Sequence, residues 1–162
     1  MRHLINFWVI FSGVVVLGGA VVAIVREINR RRLQFLHEKA AFLSELHQEL
    51  ECNPAITRAV TLLKGSDIEH RLGRFLTSEV QVLSELEQGL KNDLDALFKV
   101  LNRIAHAVSI AKILTRDETE AFSWYFRLIQ HHPILAGYFY NSGFLDLWDY
   151  AQSLLERGEV EG

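Results

Sequence analysis

The hydrophobic pattern begins with a long uncharged run, Leu4–Val25. Four arginines follow it within one or two helical turns: Arg26, Arg30, Arg31 and Arg32. At about 1.5 Å of rise per residue, a helix over this run spans about 33 Å, enough for the hydrocarbon core of a bilayer. The pattern therefore predicts a transmembrane helix over residues 4–25, preceded by a short extracytoplasmic N-terminus at residues 1–3.

The charges on either side of this run predict its orientation. Arg2 precedes it, whereas the arginine cluster follows it with Glu27 as the single acidic neighbour. Since positively charged flanks stay in the cytoplasm, we expect the N-terminus outside and the rest of the chain inside. A cleaved signal peptide is the alternative, because Gly18-Gly19-Ala20 has the small residues of a cleavage site. The apolar run continues past Ala20, which favours the anchor.

Beyond the predicted membrane helix, the spacing of apolar residues is helical throughout. Six residues follow a heptad spacing: Leu33, Leu36, Ala40, Leu43, His47 and Leu50. They predict a juxtamembrane helix over residues 26–51 that continues the membrane helix. Residues 52–157 predict a helical bundle domain, and residues 158–162 a flexible tail. The predicted fold is all-α, with one transmembrane helix continuing into a cytoplasmic bundle.

Capping residues predict where the bundle helices begin. Asn53-Pro54 begins a short helix that Lys64-Gly65 ends. Ser66-Asp67-Ile68-Glu69 and Thr115-Arg116-Asp117-Glu118 have the capping-box pattern, and each predicts the start of a further helix.

Breakers predict the remaining boundaries. Gly89 and Asn92-Asp93 indicate a break or kink after the first capping box, and His131-His132-Pro133 ends the helix that the second one starts. A short helix follows, then a turn at Asn141-Ser142-Gly143. A last amphipathic helix is expected from Phe144 to about residue 157.

Composition and charge narrow the classes of partner. Cys52 is the single cysteine, which excludes an internal disulfide framework and suits a reducing cytoplasm. The whole chain has a formal net charge of −3. Without Arg2, the arginine cluster and Glu27, 12 basic residues face 19 acidic ones. This acidic remainder makes nucleic acid an unlikely partner, whereas the arginine cluster suits the anionic headgroups of a lipid bilayer.

Aromatic residues are concentrated near the end of the chain. They predict a core in which the last three helices pack on the pair of long helices before them. Two runs, Trp124-Tyr125-Phe126 and Tyr138-Phe139-Tyr140, cannot turn every ring inward on one helix, so some rings reach the surface. We therefore expect a candidate interface for a second copy of the chain or for a protein partner. Its candidate residues are Trp124, Tyr138, Tyr140 and Trp148.

The sequence holds no strong catalytic motif. It lacks a glycine-rich phosphate loop, a His-Glu-x-x-His motif and a Gly-x-Ser-x-Gly motif. His47 and Glu51 have the i, i+4 spacing of a chelating pair, but a solvated or hydrogen-bonded histidine explains them as well. We therefore expect no cofactor and no metal site, and we predict a protein that is not an enzyme.

One pair of residues supports an alternative. Arg127 and His132 fit the Arg-x(4–6)-His pattern of the HEPN ribonucleases, which are helical and dimeric. In those enzymes the two residues stabilise and protonate groups of the scissile phosphodiester. The structural interpretation is that His131 and His132 contact free carbonyls in a last helical turn. The alternative function is a membrane-tethered HEPN-like ribonuclease or a pore-forming phage-defence effector.

Three segments together resemble a widespread bacterial family of small single-pass membrane proteins of unknown function. They are Leu46-His47-Gln48-Glu49-Leu50 with Asn53-Pro54-Ala55-Ile56, then Leu101-Asn102-Arg103-Ile104-Ala105, then Thr115-Arg116-Asp117-Glu118. The resemblance implies a helical cytoplasmic domain at a bacterial inner membrane and supplies no catalytic residue. More distantly, the size, the anchor and the Arg127/His132 pair are similar to the small membrane accessory proteins of type VI-B CRISPR systems. Those proteins have a divergent HEPN-like domain and assemble into a membrane pore.

These patterns predict one function. The expected protein is a non-enzymatic, membrane-anchored helical protein that self-associates or recruits a protein partner at the cytoplasmic face of the membrane.

Overall fold

The structure is a computed structural model that describes residues 2–65 and 84–158, with side chains for residues 21–65 and 84–154. The elements in these ranges are all helices, in agreement with the predicted all-α fold. We number the α-helices in chain order: α1 (Arg2–Cys52), α2 (Pro54–Leu63), α3 (Glu85–Ser109), α4 (Ser123–Gln130), α5 (Leu135–Ser142) and α6 (Leu145–Gly158). A 3₁₀ helix, Asp117–Phe122, immediately precedes α4.

The chain forms two compact units, Met1–Phe42 and Leu43–Gly162. The first unit holds most of α1, a single helix of 51 residues. The second unit holds the last turns of α1 and all the other described helices. The second unit therefore begins inside α1 at Leu43, whereas the sequence predicted the bundle to begin at residue 52.

The predicted transmembrane segment lies mostly outside the residues that are described with their side chains, since those begin at residue 21. Across the portion of the chain that was described, no helix combines the length and the apolar character needed to cross a membrane.

The end of α1 contributes to the core of the second unit. Leu46 and Leu50 are buried, whereas His47 is exposed and lies against the ring of Phe122 with 5.4 Å between ring centroids. The predicted core position of His47 was therefore wrong, because Leu46 takes it. A heptad spacing fixes a stripe on a helix only to within a neighbouring residue, and here the apolar neighbour is buried.

The start and end of α2 agree with the prediction. The Asn53 side-chain oxygen accepts a hydrogen bond from the Ala55 amide at 3.0 Å, and Pro54 occupies the first turn. Lys64 ends the helix, and its amide donates to the Val60 carbonyl at 3.1 Å. The helix buries Ile56, Ala59 and Leu63 on one side.

The predicted break at Gly89 and Asn92-Asp93 was wrong, because all three residues lie inside α3, and the alternative of a kink there stays a prediction. The helix begins instead at a capping box that the sequence analysis did not identify, in which Ser84 and Glu87 satisfy each other's backbone amides. The Asn92 side chain bonds Gln88 at 3.0 Å along the helix surface, so it does not compete for the backbone. The capping box predicted at residues 66–69 lies outside the described residues.

Helix α3 is the centre of the second unit. It packs against α2 and α6, and α6 also contacts α4 and α5. One face of α3 is buried along most of its length: Leu94, Leu97, Phe98, Leu101, Ile104, Ala105 and Val108. Phe98 meets Phe139 edge to face with 4.7 Å between centroids, and Phe144 lies 6.0 Å away. This confirms that the aromatic residues near the end of the chain form a core.

Charged side chains connect the neighbouring helices to α3. Arg103 bonds Glu45 at 2.7 Å and Glu49 at 2.8 Å, both on the last turns of α1. Arg58 of α2 forms two hydrogen bonds of 2.7 Å with the buried carboxylate of Asp93. Fork-shaped pairs of this kind fix geometry as well as distance, so they set the register of α1 and α2 against α3.

The Thr115–Glu118 box begins a helical segment, but its first turns are 3₁₀ rather than α. The Glu118 carboxylate accepts hydrogen bonds from the Thr115 amide at 2.7 Å and the Thr115 hydroxyl at 2.8 Å. Helix α4 then ends at Gln130, directly before His131-His132-Pro133 as predicted. Gly143 follows α5 with a φ of 77°, a left-handed conformation that glycine adopts without strain.

We expect Phe98→Ala to lower the free energy of unfolding by about 3–5 kcal/mol, because it leaves a cavity where three aromatic rings meet. The matched control is Leu86→Ala on the same helix, where the side chain is 75 % exposed and the change should stay within about 0.5 kcal/mol. Urea unfolding of the full-length protein in mild detergent, followed by circular dichroism, measures both. Equal losses in the two variants would contradict the central position of α3.

Candidate functional site

The structure gives the two residues of the HEPN-like pattern different surroundings. Arg127 lies on α4, is exposed, and donates from Nη2 to the Ser123 hydroxyl at 3.1 Å. His132 lies beyond the end of α4 and is only 9 % exposed. The two side chains therefore bind separate partners and do not form a shared site in the described contacts.

His132 bonds the last carbonyl of α2. Its Nε2 lies 2.8 Å from the Leu63 carbonyl oxygen, so Nε2–H is the donor. The last four carbonyls of a helix lack a partner within that helix, and this contact satisfies one of them. The buried Nδ1 atom has no hydrogen-bond partner among the residues that the structure describes. The contact supports the structural interpretation of His132, with the carbonyl coming from α2 rather than from its own helix.

The four candidate interface residues differ in exposure. Tyr140 is 75 % exposed and Trp124 is 42 % exposed, and Trp148 is partly buried with its ring 5.8 Å from that of Phe139. Tyr138 is only 7 % exposed, so its assignment to the surface needs correction. Its ring belongs to the core because it packs against Phe98.

Tyr138 also carries a buried polar contact. Its hydroxyl donates a hydrogen bond to the Asp95 carboxylate on α3. Burial and, after it, this bond to a negatively charged partner raise the pKa of Tyr138 well above its usual range. The hydroxyl therefore stays protonated and holds α5 to α3.

Trp124 lies within a small surface cluster. Its ring meets that of Tyr125 edge to face at 4.9 Å, and the Lys64 ammonium lies 4.6 Å from its centroid. A cation over an indole ring is favourable by about 0.5–1 kcal/mol at an exposed site. The ring is therefore held in place, while the Trp124 residue as a whole is 42 % exposed and can contact a partner.

The arginines that the sequence predicts to flank a membrane, Arg26, Arg30, Arg31 and Arg32, are exposed on α1. Arg31 is bonded to Glu27 at 2.9 Å, one turn earlier on the same helix. This i, i+4 pair neutralises one cation of the cluster and leaves its positive character.

A small cavity of about 110 Å³ lies beside the end of α1. His47 and Glu51 line it with 3.3 Å between His47 Nε2 and Glu51 Oε1, and Phe122 and Tyr125 also line it. Burial first, and then the charge of Glu51, raise the pKa of Tyr125. Within the described residues, no group of three or more histidine, cysteine, aspartate or glutamate side chains converges on a metal position.

A larger cavity of about 420 Å³ was not identified from the sequence. It lies between the end of α3, the segment that follows it, and α6. Charged side chains of both signs line it: Lys112, Arg116, Asp146 and Asp149. Sequence patterns could not reveal it, because these residues come from two stretches of the chain about 30 residues apart and the carboxylates belong to an ordinary amphipathic helix.

Backbone geometry fixes one edge of this cavity. Lys112 has a φ of 54°, a left-handed conformation that residues other than glycine rarely adopt. The amides of Ile113 and Leu114 both donate to the Ala107 carbonyl, at 2.9 and 3.2 Å. On α6, Asp146 lies 3.1 Å from Nδ1 of His106, so its carboxylate is also positioned.

Comparison with protein-family models, with curated proteins and with solved structures finds no match to this chain.

We expect His132→Ala to lower the free energy of unfolding by about 1–3 kcal/mol, because the Leu63 carbonyl loses its buried donor. Arg127→Ala removes an exposed side chain and should change stability by no more than about 0.5 kcal/mol. Thermal or urea unfolding of the full-length protein measures both variants. If instead both variants keep full stability and lose an RNA-cleaving activity, the pair is catalytic and the structural interpretation is wrong.

Proposed function

We propose that the chain is a non-enzymatic, membrane-tethered helical protein, in which α1 is the anchor and the unit Leu43–Gly162 self-associates or recruits a protein partner. The proposed location is a bacterial inner membrane, with the N-terminus outside and the larger unit at the cytoplasmic face. The observation that carries the proposal is α1, since one unbroken helix holds both the uncharged run from Leu4 and the buried residues Leu46 and Leu50.

The exposed apolar side chains at residues 21–25 of α1 support an apolar environment for the end of the uncharged run. Val21, Val22, Ile24 and Val25 are each at least half exposed at the C-terminal end of the uncharged run. Apolar side chains on every side of a helix favour burial in lipid or protein over exposure to water. The arginines that follow supply the charge asymmetry of a cytoplasmic flank.

The surface of the larger unit supports an association function. Trp124, Tyr140 and Leu145 are large apolar or aromatic side chains with substantial exposure. Aromatic side chains are enriched at protein interfaces because they bury much area at little cost in side-chain freedom. The alternative HEPN-like nuclease receives no such support, because Arg127 and His132 have separate partners.

The anchor is tested by charge substitution within the uncharged run. Val14→Asp together with Val15→Asp should release the protein from membranes, since one carboxylate at the centre of a span costs about 2.5–3.5 kcal/mol. The matched control, Leu33→Asp with Leu36→Asp, makes the same chemical change on the same helix outside the run. Alkaline carbonate washing of membranes, followed by immunoblotting, measures retention.

Retention of the unchanged chain and of the control, with release of the Val14/Val15 variant, supports the anchor. Extraction of all three proteins, or equal retention of all three, would contradict it.

Association is tested by native mass spectrometry of the full-length protein released in mild detergent. We expect a defined oligomer or a stoichiometric second protein. Trp124→Ser with Tyr140→Ser should weaken it, because both rings are exposed on the larger unit. Leu86→Ser, an exposed apolar position outside the aromatic set, is the matched control. A monomer without a partner would contradict the association function and leave the anchor intact.

A further inference from the structure

Three charged side chains at the cavity beside the end of α3 have no partner among the described residues. Elsewhere in the larger unit, Arg58 and Arg103 each have an acidic partner. By contrast, the side chains of Lys112, Arg116 and Asp149 make no hydrogen bond or ion pair with the described residues, although all three line one cavity. Opposite charges therefore face a common space without closing on one another.

We propose that this cavity binds a small zwitterion with an anionic phosphate or carboxylate at one end and a primary ammonium at the other. Lys112 and Arg116 receive the anionic end, and Asp146 and Asp149 receive the ammonium. Such a ligand provides a counter-charge to the two cationic side chains and to the two carboxylates at once. An anion alone would be repelled by the carboxylates, and a cation alone would be repelled by Lys112 and Arg116. This inference goes beyond the proposed function and does not depend on it.

The shape of the cavity fits a ligand of this class. Its volume of about 420 Å³ lies within the range of small-molecule sites, about 300–1,000 Å³. Val108 and Tyr150 are buried at its lining, and Ile110 adds an exposed apolar side chain. A ligand in the cavity therefore meets apolar surface as well as charged groups.

Two residues of the lining, Tyr150 and Asp146, are held in place by their neighbours. Tyr150 is hydrogen-bonded to Thr119 at 2.9 Å, and its ring meets Phe126 edge to face at 4.9 Å. On the ammonium side, Asp146 is held by His106 at 3.1 Å. Because Tyr150 and Asp146 are held before a ligand arrives, binding costs little conformational entropy at these two residues.

The probe for this site is phosphoethanolamine, titrated calorimetrically into the full-length protein in mild detergent. We expect saturable binding, with Arg116→Gln and Asp149→Asn each weakening it about 10- to 100-fold, the loss of one hydrogen bond to a charged group. Arg116→Gln should also weaken the binding of inorganic phosphate, whereas Asp149→Asn should leave that binding unchanged. Phosphocholine, whose quaternary ammonium cannot donate a hydrogen bond to a carboxylate, should bind more weakly than phosphoethanolamine.

Two exposed charges outside the cavity supply matched controls. Lys99→Gln and Glu120→Gln make equivalent charge changes and should leave phosphoethanolamine binding unchanged. Thermal unfolding of every variant shows that the unit still folds. Absence of saturable binding by the folded protein, or equal weakening by the control variants, would overturn the proposal.

The same chemistry occurs in a free metabolite and in a lipid headgroup, and reconstitution distinguishes them. If bilayers of phosphatidylethanolamine block the free probe while bilayers of phosphatidylcholine do not, the site binds the headgroup. Equal probe binding in both bilayers identifies a soluble zwitterion. Either result supports the proposed ligand class.

Discussion

The larger unit depends on the burial of one face of α3. This helix meets α2 on one side and α6 on the other, and its Phe98 lies among the rings contributed by α5 and the start of α6. Apolar burial of this extent is the main favourable contribution to folding. It also fixes the cavity, because the end of α3 forms one side of it and α6, packed on α3, forms another.

Polar contacts add specificity to this core. Arg103 joins α1 to α3, Arg58 joins α2 to α3, and the Asn102 side chain accepts a hydrogen bond from the Leu147 amide of α6 at 3.0 Å. Glu49, Asn102 and Arg103 therefore all serve the fold. At the cavity, by contrast with Arg58 and Arg103, the side chains of Lys112, Arg116 and Asp149 have no partner in the described chain.

Local chemistry made the helix ends predictable where a residue acts on its own backbone. Asn53, Lys64 and Pro133 lie where the sequence predicted them to begin or end helices. Prediction failed where tertiary contacts decide. Asp93 resembles a breaker until Arg58, from another helix, pairs with it, and His47 occupies a heptad position that Leu46 takes in the core. The cavity brings together two stretches that are distant in sequence, so no local pattern indicates it.

We propose above that α1 holds the larger unit at the cytoplasmic face of a membrane. Labelling of Cys52 tests this placement directly. Cys52 is the single cysteine, it is exposed, and it ends α1. A membrane-impermeant maleimide should label it in lysed but not in intact bacterial spheroplasts, whereas His3→Cys in a Cys52→Ser background should be labelled in both. Equal labelling of Cys52 before and after lysis would contradict the proposed placement.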